Sequence, residues 1–231
     1  MKVEICASNF ESAQIAQECG ADRIELCTDL GVGGLTPSYD LIQNVISELA
    51  IPVHVLVRPR KGDFVYSDSE FGDMLSIIEF CRELGCSGVV SGILTTEYEI
   101  DSKRTEKLIK ASKNMEFTFH RAFDSVRDPI SSLTTLIDLG VNRLLSSGQE
   151  FKALDGIPLL KQLLKHSEGR IEIMPGAGID DSNAAHFKMA GFQSIHLSAI
   201  KKNVSITNLF ETGVSGISDS ETIKKVIAAV H

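Results

Sequence analysis

The amino-acid sequence predicts an α/β protein that folds as a single-domain (β/α)8 barrel, the TIM-barrel architecture, over residues 1–231. Eight short apolar or β-branched runs alternate along the chain with stretches that have helical apolar spacing. Segments beginning at Gly20, Gly85, Gly140 and Gly191 repeat one pattern, in which a helix ends at the glycine and a strand follows. Each interval corresponds to two βα units of roughly 29 residues, a length that suits a barrel of eight units.

The expected strands follow one another at even intervals. They occupy residues 3–6, 23–26, 53–57, 88–90, 117–120, 143–145, 171–174 and 194–197. Helical apolar spacing, as in Leu41, Val45 and Leu49, separates successive strands. The competing architecture is a doubly wound open sheet, which usually has a glycine-rich turn after its first strand. Residues 6–9 read Cys-Ala-Ser-Asn instead and offer a helix N-cap without a phosphate loop, so the barrel is favoured.

The end of the chain departs from the alternating pattern. Residues 201–217 are polar and rich in Ser, Thr, Asn and Gly, and we expect a loop or a clasp onto a neighbouring subunit. Residues 218–231 are expected to form a C-terminal helix, since Ile223, Val226 and Val230 recur at helical spacing.

Composition excludes several classes of protein. Lys and Arg number 23 against 31 Asp and Glu, and the resulting net charge of −8 disfavours nucleic acid as a partner. The N-terminus has no apolar run of signal-peptide length, and no stretch is long enough to cross a membrane. Five cysteines without a CxxC pair are typical of reduced thiols. We therefore expect a cytoplasmic protein without a membrane partner.

Polar residues at the carboxyl ends of the strands are the candidates for function, because barrel active sites form at that end. The candidate catalytic residues are Glu25, His54, His120 and His196. The candidate anion-binding or substrate-binding residues are Arg58, Arg60, Arg121, Ser147, Gly176 and Gly178. We expect one pocket lined by Glu25, His54, Arg58, His120, Arg121 and Ser147. The alternative for Glu4 and Glu25 is a purely structural ion pair with Arg58 or Arg121.

Two cysteines occupy matching E-x-C positions on the first and second strands. Cys6 and Cys27 would let two soft thiolates flank one Cu(I) ion, because neighbouring strands lie about 4.8 Å apart. The alternative is a pair of small buried thiols that only fill space. Cys19, Cys81 and Cys86 are interpreted as packing residues.

Several motifs together resemble the CutC family of copper-homeostasis-type barrel proteins. They are IELC with GGLTPS, VHVLVRPR with GDFVYS, FTFHRAFD, LSSGQ, IMPGAGI and IHLSA, in order from the first strand to the eighth. The resemblance implies a cytoplasmic, oligomeric (β/α)8 barrel linked to copper handling, with a homodimer as the expected assembly. Val32 and Lys61 depart from the family's pattern in loops beside the expected pocket.

Three functions remain open from the sequence. The first is copper homeostasis, in which Cys6 and Cys27 bind Cu(I), the one cofactor considered. The second is an enzyme that acts on a small anionic or phosphorylated metabolite in the Arg- and His-lined pocket. The third is a non-catalytic sensor or scaffold that uses the same pocket, since fold alone does not decide function. No HExxH, GxSxG or P-loop motif indicates a reaction type.

Overall fold

The computed structural model describes residues 1–200 and 216–231, and over these residues it confirms the (β/α)8 barrel. The strands are β1 Lys2–Ala7, β2 Arg23–Leu26, β3 Val53–Leu56, β4 Gly88–Ser91, β5 Glu116–Phe119, β6 Arg143–Ser146, β7 Glu172–Pro175 and β8 Ser194–Leu197. The helices are α1 Phe10–Glu18, α2 Tyr39–Glu48, α3 Asp68–Glu83, α4 Ser102–Ala111, α5 Pro129–Asp138, α6 Ile157–Ser167, α7 Ala184–Met189 and α8 Ser220–Val230. Residues 201–215, most of the expected loop or clasp, lie outside the described residues.

All strand pairs are parallel, and the order β7-β6-β5-β4-β3-β2-β1-β8 brings the first strand beside the last. A single parallel bridge between Gly176 and His196 closes the seam between β7 and β8. Every strand begins and ends within one or two residues of its expected bounds. All eight carboxyl ends therefore meet at one mouth of the barrel.

Local sequence signals account for where the elements start and stop. The Asn9 side chain accepts a hydrogen bond from the backbone N–H of Ser12 at 2.8 Å and begins α1. Ser67 and Glu70 form a reciprocal capping box at the start of α3. At the other end of helices, Gly20 and Gly140 adopt φ of +83° and +78°, a left-handed conformation that lets the chain turn into the next strand.

Apolar side chains fill the layer between the strands and the helices. The barrel interior, in contrast, contains charged side chains on the side away from the mouth. Strand register places Glu4 beside both Arg23 and His196. Arg23 forms an ion pair with Glu4, while Arg143 binds Glu116 at 2.8 Å and Glu172 at 2.9 Å. Both arginines are buried, so each needs these carboxylates to offset the cost of losing water.

The structural ion pairs differ from those expected from the sequence. Glu4 contacts Arg23 and His196 rather than Arg58 or Arg121, because these two neighbours lie at its own level in the register. The expectation that Glu4 pairs with Arg58 or Arg121 is therefore wrong, although Glu4 does form a structural ion pair.

Candidate functional site

A cavity of about 260 Å³ opens at the carboxyl ends of the strands, and we call it the mouth cavity. Its lining combines residues inside the strands with residues of the loops that follow them. The lining residues are Cys6, Glu25, Leu30, Gly33, Leu56, Arg58, Phe64, His120, Arg121, Leu145, Ala177, Gly178, Ile179, His196, Leu197 and Ser198. The barrel thus brings together acid, base, thiol and cationic groups from five strands and their loops.

Cys6 lines the mouth cavity and is in contact with Cys27, which is not one of the lining residues. Their Sγ atoms are 3.3 Å apart, and both side chains are buried. Strand register pairs Cys6 with Glu25, so Cys27 lies two residues further towards the mouth along the chain, although the two Sγ atoms are in contact. Leu56 and Val90 pack around the two thiols. We call Cys6 and Cys27 the thiol pair.

Glu25 and His196 extend the thiol pair into a cluster of potential metal donors. One ligand atom from each of Cys6, Glu25 and His196 lies within 4.8 Å of the other two. The Cys6 Sγ is 3.5 Å from Glu25 Oε1, whereas Glu25 Oε2 has no hydrogen-bond partner among the described residues. Thiolate, carboxylate and imidazole are all metal-binding groups, and the thiolates give the cluster a preference for soft ions.

The surroundings of this cluster shift its protonation. The hydrogen bond with Cys27, burial and the nearby Glu25 raise the pKa of the Cys6 thiol. Burial raises the pKa of Glu25. Burial alone would lower the pKa of His196, but the charge of Glu25 and the hydrogen bond with Glu4 outweigh burial and raise it. The Cys6 thiol consequently keeps its proton at neutral pH unless another positive charge displaces it.

Arg58 is a buried cation whose terminal nitrogens donate to three backbone carbonyls. Its NH1 atom donates to the carbonyls of Val32 and Gly34 at 2.9 and 3.0 Å, and NH2 donates to Gly62 at 3.1 Å. The guanidinium also lies over the ring of Phe64, 5.1 Å from its centroid. Its Nε has no partner, and no carboxylate of the described residues forms an ion pair with it. Arg58 therefore ties two loops together while its charge remains unbalanced.

His120 is a neutral imidazole on the wall of the cavity. Its Nδ1 accepts a hydrogen bond from the backbone N–H of Ala122 at 3.2 Å, while Nε2 has no partner among the described residues. Burial and the charge of Arg58 lower the pKa of His120 to about 3. A neutral ring that accepts at Nδ1 carries its hydrogen on Nε2, which makes Nε2 a donor.

Arg121 lines the cavity and Ser147 lies behind it. Arg121 Nε is 2.8 Å from Asp124, and its NH2 atom donates to the Ser147 hydroxyl at 3.0 Å. Ser147 also donates from its backbone N–H to Asp124 at 3.1 Å. The positive charge of Arg121 is therefore balanced within the protein, unlike that of Arg58.

The structure does not bring every candidate residue to the mouth cavity. His54 lies deeper in the barrel, with Nε2 3.6 Å from Glu116. Arg60 turns to the surface and donates to Glu70 at 2.6 Å, because α3 begins beside it. Gly176 lies at the barrel seam, opposite His196, whereas Gly178 does line the cavity.

Some lining residues were not among the sequence-based candidates. Phe64 contacts both Arg58 and His120, with its ring centroid 5.0 Å from that of His120. Phe64 belongs to the GDFVYS motif, and this motif was the feature of the sequence that could have indicated its place in the cavity. Ala177 and Ile179 flank Gly178, and only the loop conformation reveals that they face the cavity.

No helix of residues 1–200 or 216–231 has the combined length and apolar character that crossing a bilayer requires.

Comparison with known proteins connects this geometry to one family. A CutC family protein from Pasteurella multocida (strain Pm70) is 46% identical over 227 residues, which cover 98% of this chain and 93% of the relative. A CutC family protein from Proteus mirabilis (strain HI4320) is also 46% identical, over 95% of this chain and 88% of the relative.

Solved structures agree with the relatives in sequence. The crystal structure of a candidate copper homeostasis protein, CutC, from Streptococcus agalactiae superimposes with a TM-score of 0.80 at 34% identity, over 85% of this chain and 97% of that one. Thiamine phosphate pyrophosphorylase from Pyrococcus furiosus superimposes with a TM-score of 0.63 at 13% identity, over 99% of this chain and 95% of that one. The second likeness shows the barrel fold alone.

The family assignment rests on sequence over almost the whole barrel. Residues 1–201 match the CutC family, and this range contains all eight strands. The motifs that predict the resemblance lie on β2, β3 and β5 to β8 and in the loops that follow these strands. The chain therefore belongs to the CutC family.

Proposed function

We propose that this protein takes part in copper homeostasis by binding Cu(I) through the thiolates of Cys6 and Cys27. The observation that carries the proposal is the 3.3 Å separation of the two Sγ atoms, one of which belongs to Cys6 on the wall of the mouth cavity. Thiolates are the ligands that select Cu(I) over harder ions. Cys6 lies within β1, Cys27 directly follows β2, and both side chains are buried.

The residues present fit such an ion with a small adjustment. Metal–thiolate bonds are about 2.3 Å long, so two thiolates on opposite sides of one ion would lie roughly 4.6 Å apart. The observed 3.3 Å is shorter, and binding therefore requires the sulfurs to separate by roughly 1 Å or the ion to be held at a bent angle. Glu25 and His196 supply further donor atoms within 4.8 Å of Cys6.

Proton release accompanies the proposed binding. The raised pKa of Cys6 means that its thiol holds a proton in the absence of metal. The ion must displace that proton, which makes the affinity rise with pH. The apolar contacts of Leu56 and Val90 exclude water from the thiol pair, and the mouth cavity is the path of entry.

A competition titration tests the proposal. The reduced protein is titrated anaerobically with Cu(I) against a chromogenic Cu(I) chelator, and we expect one ion per chain. The Cys6→Ser, Cys27→Ser variant should bind at least about tenfold more weakly. The matched control is Cys81→Ser, Cys86→Ser, which removes two buried thiols away from the cavity and should bind like the wild type. Equal affinity in all three proteins would mean that the thiol pair only fills space.

Cellular setting and assembly belong to the same proposal. The reducing cytoplasm keeps thiols free, as a Cu(I) site of this kind needs. A homodimer is proposed from the resemblance to the family, and light scattering on the eluting protein measures its mass. Neither nucleic acid nor membrane is a proposed partner, given the net charge of −8.

A second candidate function is favoured by the unbalanced charge of Arg58. An enzyme, or a non-catalytic sensor, that takes a small anionic or phosphorylated metabolite would supply the missing counter-charge. Glu25 and His196 would then be the acid–base groups at the cavity, with His120 as a neutral donor. His54 and Arg60 lie outside the cavity and would take no direct part. Thermal unfolding with a panel of phosphorylated sugars and carboxylic acids tests this candidate, because a ligand of the native state raises the unfolding midpoint.

A further inference from the structure

We propose that the loop after β7 holds the anionic group of a small ligand, with backbone N–H donors from Gly178 and Ile179 assisted by Arg58 and His120. The ligand class is a small phosphorylated or carboxylic compound that also carries a hydroxyl group. This inference rests on the second candidate function, because it names the group by which such a ligand is held and the residues that hold it.

The conformation of the loop is the first observation. Ala177 and Gly178 both have positive φ, +104° and +67°, although only the second is a glycine. The carbonyl of Ala177 accepts a hydrogen bond from the N–H of Ala153 at 2.9 Å, and that of Gly178 accepts one from the side chain of Asn183 at 2.9 Å. The rest of the protein thus holds the loop in a conformation that alanine rarely adopts.

The same conformation leaves donors free. Within residues 1–200 and 216–231, no group accepts a hydrogen bond from the backbone N–H of Gly178 or Ile179. Both residues line the mouth cavity. Successive free N–H groups in a loop with left-handed residues are a recurrent means of binding anions. The carbonyls are used by the protein, and the amides remain available to a ligand.

Side chains across the cavity supply the second, independent observation. Arg58 Nε and His120 Nε2 are buried and have no hydrogen-bond partner among the described residues, and both side chains line the same cavity. Both are donors, since the Nδ1 of His120 already accepts from Ala122. Buried donors are rarely left unpaired in native proteins, so His120 Nε2 indicates an absent acceptor. Arg58 adds its charge, although the buried hydroxyl of Tyr66 also lies within hydrogen-bonding reach of its guanidinium.

Charge identifies the acceptor as an anion. Arg58 has no carboxylate partner among the described residues, whereas Arg121 is neutralised by Asp124 at 2.8 Å. One uncompensated cation suits one anionic group. Glu25 Oε2 also lacks a partner within residues 1–200 and 216–231; it is an acceptor and therefore suits a hydroxyl group of the same ligand. A cavity of about 260 Å³ favours a small metabolite as the ligand.

We call the proposed contact between the anion and the backbone N–H groups of Gly178 and Ile179 the anchor. Amide chemical shifts test it in the unaltered protein. Inorganic phosphate and acetate are titrated separately into ¹⁵N-labelled wild-type protein, with sodium chloride at matched ionic strength as the control. We expect the signals of Gly178 and Ile179 to shift saturably with one or both anions and to stay unchanged with chloride. A response to phosphate but not to acetate assigns the site to phosphate esters, and the reverse assigns it to carboxylic acids.

A pair of variants separates Arg58 from general charge. Arg58→Met should weaken the binding of the active anion at least tenfold, whereas Arg60→Met should not change it, because Arg60 pairs with Glu70 away from the cavity. Arg58 also holds two loops, so the folding of both variants is compared by thermal unfolding; the wild-type titration does not depend on that result.

The outcomes distinguish the anchor from the function on which it rests. Saturable shifts confined to other residues, such as the surface loop around Lys61, would overturn the anchor and leave an anion-binding protein. No saturable shift with either anion, together with no stabilisation by any compound of the metabolite panel, would overturn both. Stabilisation by a metabolite that leaves the amides of Gly178 and Ile179 unmoved would overturn the anchor alone.

Discussion

His196 Nδ1 on β8 lies 2.8 Å from Glu4 Oε1 on β1, which joins the last strand to the first inside the barrel. Glu4 is fully buried and also binds Arg23. Burial alone would raise the pKa of Glu4, but the hydrogen bond with His196 and the charge of Arg23 lower it well below its usual value. The carboxylate is therefore charged, and it orients an imidazole that lines the mouth cavity.

Removal of this charge should destabilise the barrel strongly. Glu4→Gln leaves Arg23 with a weakened partner in the interior, and we expect a loss of roughly 3–5 kcal/mol in the free energy of unfolding. Urea denaturation measures it. The control is Glu106→Gln, which breaks an exposed pair with Lys110 and should cost no more than about 0.5 kcal/mol. Similar small losses in the two variants would contradict the account of the interior.

Stability should fall in mild acid because His120 is held neutral. Its pKa is about 3 in the folded chain against an ordinary 6.5, so between these values the unfolded chain binds the extra proton. The neutral state of His120 therefore contributes fully to the free energy of unfolding above pH 6.5. This contribution is lost as the pH falls towards 3, and the total loss is on the order of a few kcal/mol. His54, whose pKa burial lowers to about 4, adds an effect of the same sign.

The variant His120→Asn isolates this effect. We expect a shallower decline of unfolding free energy between pH 6.5 and 4 than in the wild type, measured by urea denaturation at each pH. His166→Asn, on the exposed face of α6, is the control and should follow the wild-type curve. Parallel curves for His120→Asn and the wild type would show that the buried ring does not control the acid response.

Gly88 leaves the space that His54 occupies. A Cβ atom at this position would lie 2.6 Å from His54 Nδ1 and 2.9 Å from the Glu116 carbonyl oxygen. Gly88→Ala should therefore destabilise the protein by about 1–3 kcal/mol. Gly72→Ala, in α3 with open space around it, should instead stabilise by about 0.5–1 kcal/mol. Thermal unfolding of the two variants measures the contrast, and an equal effect of both would refute the packing argument.

The barrel was predictable because its signals are local. Alternating strand and helix patterns, and the recurrent glycine before a strand as at Gly20 and Gly140, depend only on nearby residues. The closeness of Cys6 and Cys27 was also predictable, since both follow the same E-x-C pattern on consecutive strands. Strand register then moved Cys27 one pleat towards the mouth, which local patterns do not specify.

The partners of the charged residues could not be predicted in the same way. Arg58 binds carbonyls of the loops at Val32, Gly34 and Gly62, and those contacts depend on loop conformation rather than on residue type. The depth of His54 relative to His120 depends on the stagger of β3 against β5 around the barrel. Tertiary geometry therefore decides which of the candidate residues reach the cavity.

The central claim, Cu(I) binding by the thiol pair, is tested most directly by X-ray absorption at the copper edge of the Cu(I)-loaded protein. We predict a first shell with two sulfur neighbours in the wild type and in the Cys81→Ser, Cys86→Ser control. The Cys6→Ser, Cys27→Ser variant should lose this shell. A wild-type shell made only of nitrogen and oxygen, or a sulfur shell that persists in the Cys6→Ser, Cys27→Ser variant, would contradict the proposal.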